Sequence, residues 1–578
     1  MDPPAPADPL ARGDAALAEG RWADAREAFD AALAGGEAAD AWLGLAVARW
    51  WEGENQGSVD ACTRAYALFR REGDVAGAVR SAVWLAITYK ANFADFAPAE
   101  GWLGRADRLL ADAGLPPGPL HGWVAIARSY RMDDLAAAAS LTEQALGLAR
   151  DADDVDLELV ALAQLGRIRV GQGEAAAGFA LLDEALAGAL AGEPVSLDTV
   201  VYACCDMLNA CDLATDMARA AQWCAVADDF VERYGCPFLY AECRTLYGGV
   251  LVAKGRWDEA ERELAAALRM TAATGPALRT RALVRLAELR LRQGRLEQAD
   301  QLVAELGARI DDEAETALTR AALLLARGDG DGASRVLTER LDRLAEHHLH
   351  TATALATLVD AHLAAGDLDG ATAITARLTA LAAPDADLLC TGDLAEERSP
   401  VPRSGNGNDR VAGLAGLARG RMALAAGAPS EAAAELEAAV AIWTRLDLPY
   451  EAAATLLDLA RALAPSHHDR AVEHGKRALA TFERLGAAGQ ADRAAALLRS
   501  LGVQARTGPK GVGLLTRREQ EVLELLGQGL SNPEIAGRLY VSRKTAAHHV
   551  SSVLAKLQLR NRAEAAALAA RTSTGPVP

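Results

Sequence analysis

The chain has 578 residues, 51% hydrophobic, 24% charged and 5% aromatic, a composition that excludes disorder as its main state and leaves room for several domains. Its formal net charge of −19, taken alone, speaks against a polyanion-binding protein. No run reaches the roughly 18 uninterrupted apolar residues of a membrane helix, and Met1-Asp2-Pro3-Pro4-Ala5-Pro6 lacks the basic-then-apolar profile of a signal peptide, so the expectation is a cytoplasmic protein with no membrane partner.

From residue 10 onward a spacing recurs: a turn residue, then Ala at +5, a large apolar residue at +9, and a pair such as Ala-Leu at +12 and +13. Gly20 with Ala25, Phe29, Ala32 and Leu33 is one copy; Gly255 with Ala260, Leu264, Ala267 and Leu268 is another, and Arg256-Trp257 repeats Arg21-Trp22. Looser copies start at Gly173, Gly294 and Gly427. Anchors placed at Gly20, Gly57, Asp95, Asp133, Gly173, Asp216, Gly255, Gly294, Gly328 and Gly366 give a period near 40. Such a repeat predicts a pair of antiparallel helices, with glycine at the helix end because it accepts positive φ and with alanines that let helices approach closely. One hairpin cannot bury its own apolar face, so the array predicts an α-solenoid with a concave groove.

Two segments break the pattern. Residues 384–410, which include Ser399-Pro400-Val401-Pro402-Arg403-Ser404-Gly405-Asn406, are turn-forming and read as a flexible loop between a long block, 1–383, and a short block, 411–501. A linker, 502–513, precedes a change of character at Leu514.

From there the sequence predicts four short helices. Thr516 with Glu519 and Ser531 with Glu534 have capping-box spacing, Pro533 suits an early helical position, and Ser542 and Asn561 are N-cap residues. The tight connection between the second and third helices makes them a helix-turn-helix. On a wheel of 100° per residue, Ala546, Val550, Val553, Leu554 and Leu557 face inward, opposite Lys544, Thr545, His548, Ser551 and Ser552, with Arg543 in the first turn and His549 on the flank. An outward face with short donors and acceptors, two cations and no carboxylate suits a helix entering a major groove. Residues 514–578 carry a net charge of +4, which leaves −23 on residues 1–513.

Other clusters read as structural. Cys204, Cys205, Cys211, Cys224, Cys236 and Cys243 form no C-x-x-C pair and are taken as buried packing. His347, His348 and His350 do not converge on one ion and read as a solvated helix end. Gly328-Asp329-Gly330-Asp331-Gly332 lacks the closing Glu of a calcium loop and reads as a repeat turn. Without G-x-x-x-x-G-K-[ST], H-E-x-x-H or G-x-S-x-G, the chain offers no catalytic constellation, and no cofactor or metal is expected.

Two resemblances accompany these readings. The spacing around Trp22 and Trp257 resembles the second half of tetratricopeptide repeats over roughly residues 10–500. Leu515-Thr516-x-x-Glu519-x-x-Val522-Leu523, Gly529-x-Ser531-Asn532-x-x-Ile535-Ala536-x-x-Leu539, Val541-Ser542-x-x-Thr545 and His549-Val550-x-x-Val553-Leu554-x-Lys556-Leu557 resemble the LuxR-type DNA-binding domain. This second resemblance implies base-facing positions at Ala547, His548 and Ser551, phosphate contacts from Lys544 and Thr545, and dimerisation through the fourth helix, Asn561 to Arg571. The expected fold is all-α: a tetratricopeptide-like solenoid followed by a four-helix LuxR-type domain at 514–571 and a disordered tail, 572–578. The expected function is a DNA-binding transcriptional regulator, contacting double-stranded DNA through Arg543, Lys544, Thr545, Ala547, His548, Ser551 and Ser552 as a homodimer. Its solenoid groove would take a protein, peptide or small-molecule effector. The alternative is a repeat-protein adaptor that uses the terminal domain only to hold two copies together.

Overall fold

A computed structural model describes residues 8–130, 132, 134–193, 195–306, 314–341, 348–383, 406–503, 517–539, 541–556, 559 and 561–573. Among these residues the regular elements are all helices, with no strand. From Pro9 to Ser500 they run as successive antiparallel hairpins, each helix packed on its neighbours in the chain.

The turn chemistry explains the hairpins. Gly20, Gly173, Gly255, Gly294, Gly328, Gly366 and Gly427 sit between the two helices of their repeats with φ between 71° and 90°, the left-handed region where a Cβ costs most. Where glycine is missing, Ala94 and Thr215 take φ 51°, and the expected anchors Asp95 and Asp216 instead cap the helices that follow. Asp216, for instance, accepts a bond from the Arg219 N–H at 3.1 Å. Gly57 is not a turn: it lies inside the helix Asn55–Glu72, against the Arg49 side chain, and the turn of that repeat is Gly53 at φ 83°. Asp133 lies outside the described residues, and Asp134 caps Leu135–Asp151. Asp329 caps Gly330–Thr338 by accepting from the Gly332 N–H at 2.8 Å, so the Gly328 segment is a repeat turn.

The repeated small and large positions form the core. Ala25, Ala260, Ala299 and Ala432 are wholly buried, as are Phe29, Leu264 and Leu436. In the Gly173 repeat the +5 residue is Gly178, where a Cβ would lie 2.5 Å from the Gly166 carbonyl oxygen, so the two helix backbones touch.

The array also closes on itself. Trp22 stacks on Trp51 with centroids 4.2 Å apart and donates its indole N–H to the Tyr234 carbonyl, 212 residues on, at 2.6 Å. Trp51 donates to Asp198 at 2.8 Å. Farther along, Lys254 reaches the Leu446 carbonyl across 192 residues, and Arg292 pairs with Glu451 at 2.8 Å. After about five repeats each superhelical turn therefore meets the next. The concave side of the array forms a chamber of about 550 Å³ walled by residues from Trp50 to His350, with a smaller cavity of about 190 Å³ beside it.

Two further expectations change. The helix Asn406–Ala425 begins inside the segment expected to be a loop; residues 384–405 lie outside the described residues. His348 and His350 are not solvated: His350 lines both cavities, and burial lowers its pKa. His347 lies outside the described residues. Of the cysteine cluster, all but the half-buried Cys205 are buried, and burial pushes all six thiols up, Cys204, Cys224 and Cys236 to about 12, so they fill space as weakly acidic thiols.

Candidate nucleic-acid interface

The C-terminal domain consists of helices Arg517–Gly527, Asn532–Arg538, Arg543–Lys556 and Arg562–Ser573. Local bonds set their starts. The Glu534 carboxylate accepts from the Ser531 N–H at 2.7 Å and from its hydroxyl at 2.6 Å, and these bonds hold its pKa below the ordinary value. Ser542 accepts from the Thr545 N–H at 3.0 Å, and Asn561 from the Glu564 N–H at 3.0 Å. Thr516, the other expected cap, lies outside the described residues. Gly529, at φ 81°, turns the chain between the first two helices.

Val522, Leu526, Ile535, Ala546, Val553 and Ala565 are buried together. The first and last helices touch at Gly527, where a Cβ would lie 2.7 Å from the Ala569 Cβ. Arg518 donates to the Leu539 carbonyl and Arg562 to that of Leu530, tying the first and fourth helices to the ends of the turns.

Against this core, the third helix presents Arg543, Lys544, Thr545, His548 and Ser551 as exposed residues. Ala547 is half-buried, with its methyl at the edge of that face. The Thr545 hydroxyl lies 2.7 Å from that of Ser542, so it belongs partly to the cap. The His548 and His549 rings lie 6.3 Å apart, with His549 half-buried on the flank as expected. Of the inward residues, Ala546, Val550 and Val553 are buried and Leu554 packs against them; Leu557 lies outside the described residues.

Ser552 is arranged differently from its neighbours. It is half-buried and donates its hydroxyl to Glu519, a carboxylate only 4% exposed on the first helix. This contact was missed in the sequence, although Glu519, Val522 and Leu526 share one helical stripe at i, i+3 and i+7. An acid on an apolar stripe needs a donor opposite it.

A four-helix domain with a capped helix-turn-helix and a cationic, carboxylate-free third helix is a DNA-binding domain by architecture. The sequence pattern that defines the bacterial regulatory proteins of the luxR family matches residues 513–569. The spore germination protein GerE of Bacillus subtilis is 46% identical over 52 residues, 9% of this chain and 70% of that protein. The transcriptional regulatory protein LnrK of the same organism is 49% identical over 57 residues, 10% of this chain and 26% of that protein. Through its C-terminal domain the chain therefore belongs to the luxR family, one of transcription regulators and not of enzymes. The match spans about a quarter of the length of relatives such as LnrK. Along the whole chain, the crystal structure of the APC/C hetero-tetramer Cut9-Hcn1 aligns over 97% of this protein and 95% of that chain, with 13% identity and a TM-score of 0.41. Among the described residues no helix is long and apolar enough to cross a membrane.

Proposed function

We propose that the protein is a one-component transcription regulator that binds a two-fold promoter element as a dimer, with the third helix of its C-terminal domain in the major groove. The observation that carries this reading is the exposed, acid-free face of Arg543–Lys556 on a luxR-family domain whose net charge is opposite in sign to that of the solenoid. Arg543, Lys544 and Thr545 contact phosphates, while His548, Ser551 and the Ala547 methyl meet base edges. Ser552, bonded to Glu519, fixes the rotation of the helix in the domain and reaches DNA only at the margin. The fourth helix, Arg562–Ser573, supplies the dimer contact. The protein works in the cytoplasm, and an effector held by the solenoid sets how the two third helices are spaced.

The test is a gel shift of full-length protein on genomic fragments, comparing wild type with Lys544→Glu, His548→Ala, with the oligomeric state followed by sedimentation. The double variant is expected to lose the shift and keep the dimer. Log affinity should fall with log salt by about 0.9 per phosphate neutralised. No shift by the wild type at any salt would reject the reading and leave the adaptor as the function of the chain.

A further inference from the structure

The chamber, lined from Trp50 to His350, is built as a small-molecule site. Its volume of about 550 Å³ lies in the range of ligand cavities, roughly 300–1,000 Å³. At one end the rings of Trp50, Trp84, Trp123, Tyr202 and Phe238 line the wall. Trp50 is fixed there: it meets Trp84 edge-on at 5.9 Å, packs on Phe238 at 5.5 Å, and donates its indole N–H to Asn92 at 3.1 Å. Asn92 belongs to a π-helical turn, Tyr89–Phe93, an arrangement that costs regular helix bonds and concentrates at functional sites. The turn is clamped from outside by Gly275 at φ 98°, where a Cβ would lie 2.5 Å from the Asn92 carbonyl oxygen.

The lining also carries charge, and among the described residues its ion pairs leave one group over. Asp206 is held by Arg167 at 2.7 Å, Glu315 by Arg285 at 2.9 Å and Glu288 by Arg292 at 3.0 Å, while Asp212 also pairs with Arg285. Behind the wall, Glu242 and Glu451 are taken by Arg281 and Arg292. Arg410 lines the adjoining cavity, which shares Asp212, Leu213, Glu315 and His350 with the chamber. Its guanidinium makes no hydrogen bond or ion pair with a described residue. The acids nearest in effect, Glu451 and Asp212, are themselves held by Arg292 and Arg285, and desolvation lowers the pKa of this half-buried guanidinium.

We propose that the two cavities bind one flat aromatic organic anion, its ring system against the aromatic wall and its carboxylate, sulfonate or phosphate on Arg410. The regulatory reading above supplies only the purpose of this binding; the site itself stands on the solenoid. Contact between the ligand and walls from Trp50 to Arg410 would tie both superhelical turns together, which is how occupancy would reach the end of the chain.

The test needs no DNA, so its failure would leave the promoter-binding reading intact. Purified full-length protein is titrated with 8-anilinonaphthalene-1-sulfonate and with N-phenyl-1-naphthylamine, the same ring system without the anion. Saturable binding of one sulfonate per chain is expected, about tenfold or more tighter than the neutral dye. Arg410→Gln should bring the sulfonate down to the affinity of the neutral dye and leave the latter within about twofold. Without dye, Arg410→Gln should melt no lower than wild type, because it removes a desolvated cation that makes no ion pair with a described residue. Leu213→Trp, which fills the junction of the cavities, should abolish binding of both dyes. The proposal is overturned if wild type takes up neither dye, if both bind equally, or if either variant leaves sulfonate binding unchanged.

Discussion

The solenoid and the C-terminal domain solve the same problem, covering the apolar face of a helix, at different ranges. In the domain the partners are nearer in sequence: the caps Ser531 with Glu534, Ser542 with Thr545 and Asn561 with Glu564 are each three residues apart, and the ties between helices, such as Ser552 with Glu519, span 33. In the solenoid the decisive partners are distant, as with Trp22 and Tyr234 or Lys254 and Leu446. Short-range partners make a small unit whose shape is set by its own residues. Long-range partners make a shape that exists only when several repeats are complete, and that shape encloses a cavity.

This contrast can be tested by breaking each kind of contact in turn. The largest effect is expected from Trp51→Ala. The side chain is 1% exposed, stacked on Trp22 and bonded to Asp198, and its loss should cost about 4 kcal/mol, read as a lower denaturant midpoint for the solenoid. The C-terminal domain, followed by DNA binding below that midpoint, should be unaffected.

A second test concerns Asp198, whose pKa burial raises to about 6 against the bond from Trp51. An acid with a raised folded pKa gives stability that is complete below its unfolded value near 4 and is lost as pH rises through about 6. Asp198→Asn keeps an acceptor for Trp51 and removes this titration. Its melting temperature relative to wild type should therefore rise between pH 4 and pH 7, and a constant difference would show that the carboxyl does not titrate in that window.

The smallest effect belongs to the local contacts. Ser542→Ala removes the cap of the DNA-facing helix and should cost the C-terminal domain about 1 kcal/mol, seen as faster amide exchange in the first turn of that helix. The solenoid midpoint should stay where it was.

The same difference in range decides what could be read from the sequence. Capping residues, the inward stripe of Ala546, Val550 and Val553, and the exposure of Lys544 and His548 follow from neighbours in the chain, so they were legible. The repeat was legible as a period, because a glycine in the left-handed region and an alanine at a tight helix contact leave a residue-type signature. Its register at Gly57 was not, since glycine serves close packing and turns alike, and there it packs on Arg49. Superhelical closure was illegible for a further reason: it depends on a small rotation per repeat summed over five repeats, which no single residue encodes. The chamber, the burial of His350 and the placing of Arg410 beside it all follow from that closure and were missed with it. The Ser552–Glu519 contact falls between these cases, since only the acid on an apolar stripe hinted at it.

The return of Trp22 to Tyr234 also has a consequence in time. During synthesis the first repeat leaves the ribosome with its apolar ring uncovered, and its acceptor follows 212 residues later. At about 5–20 residues per second that interval is on the order of ten to forty seconds. Trp22 is thus made long before it is sealed, and through that interval its cover comes from nearby residues such as Trp51, which itself meets Trp50 edge-on at 5.7 Å.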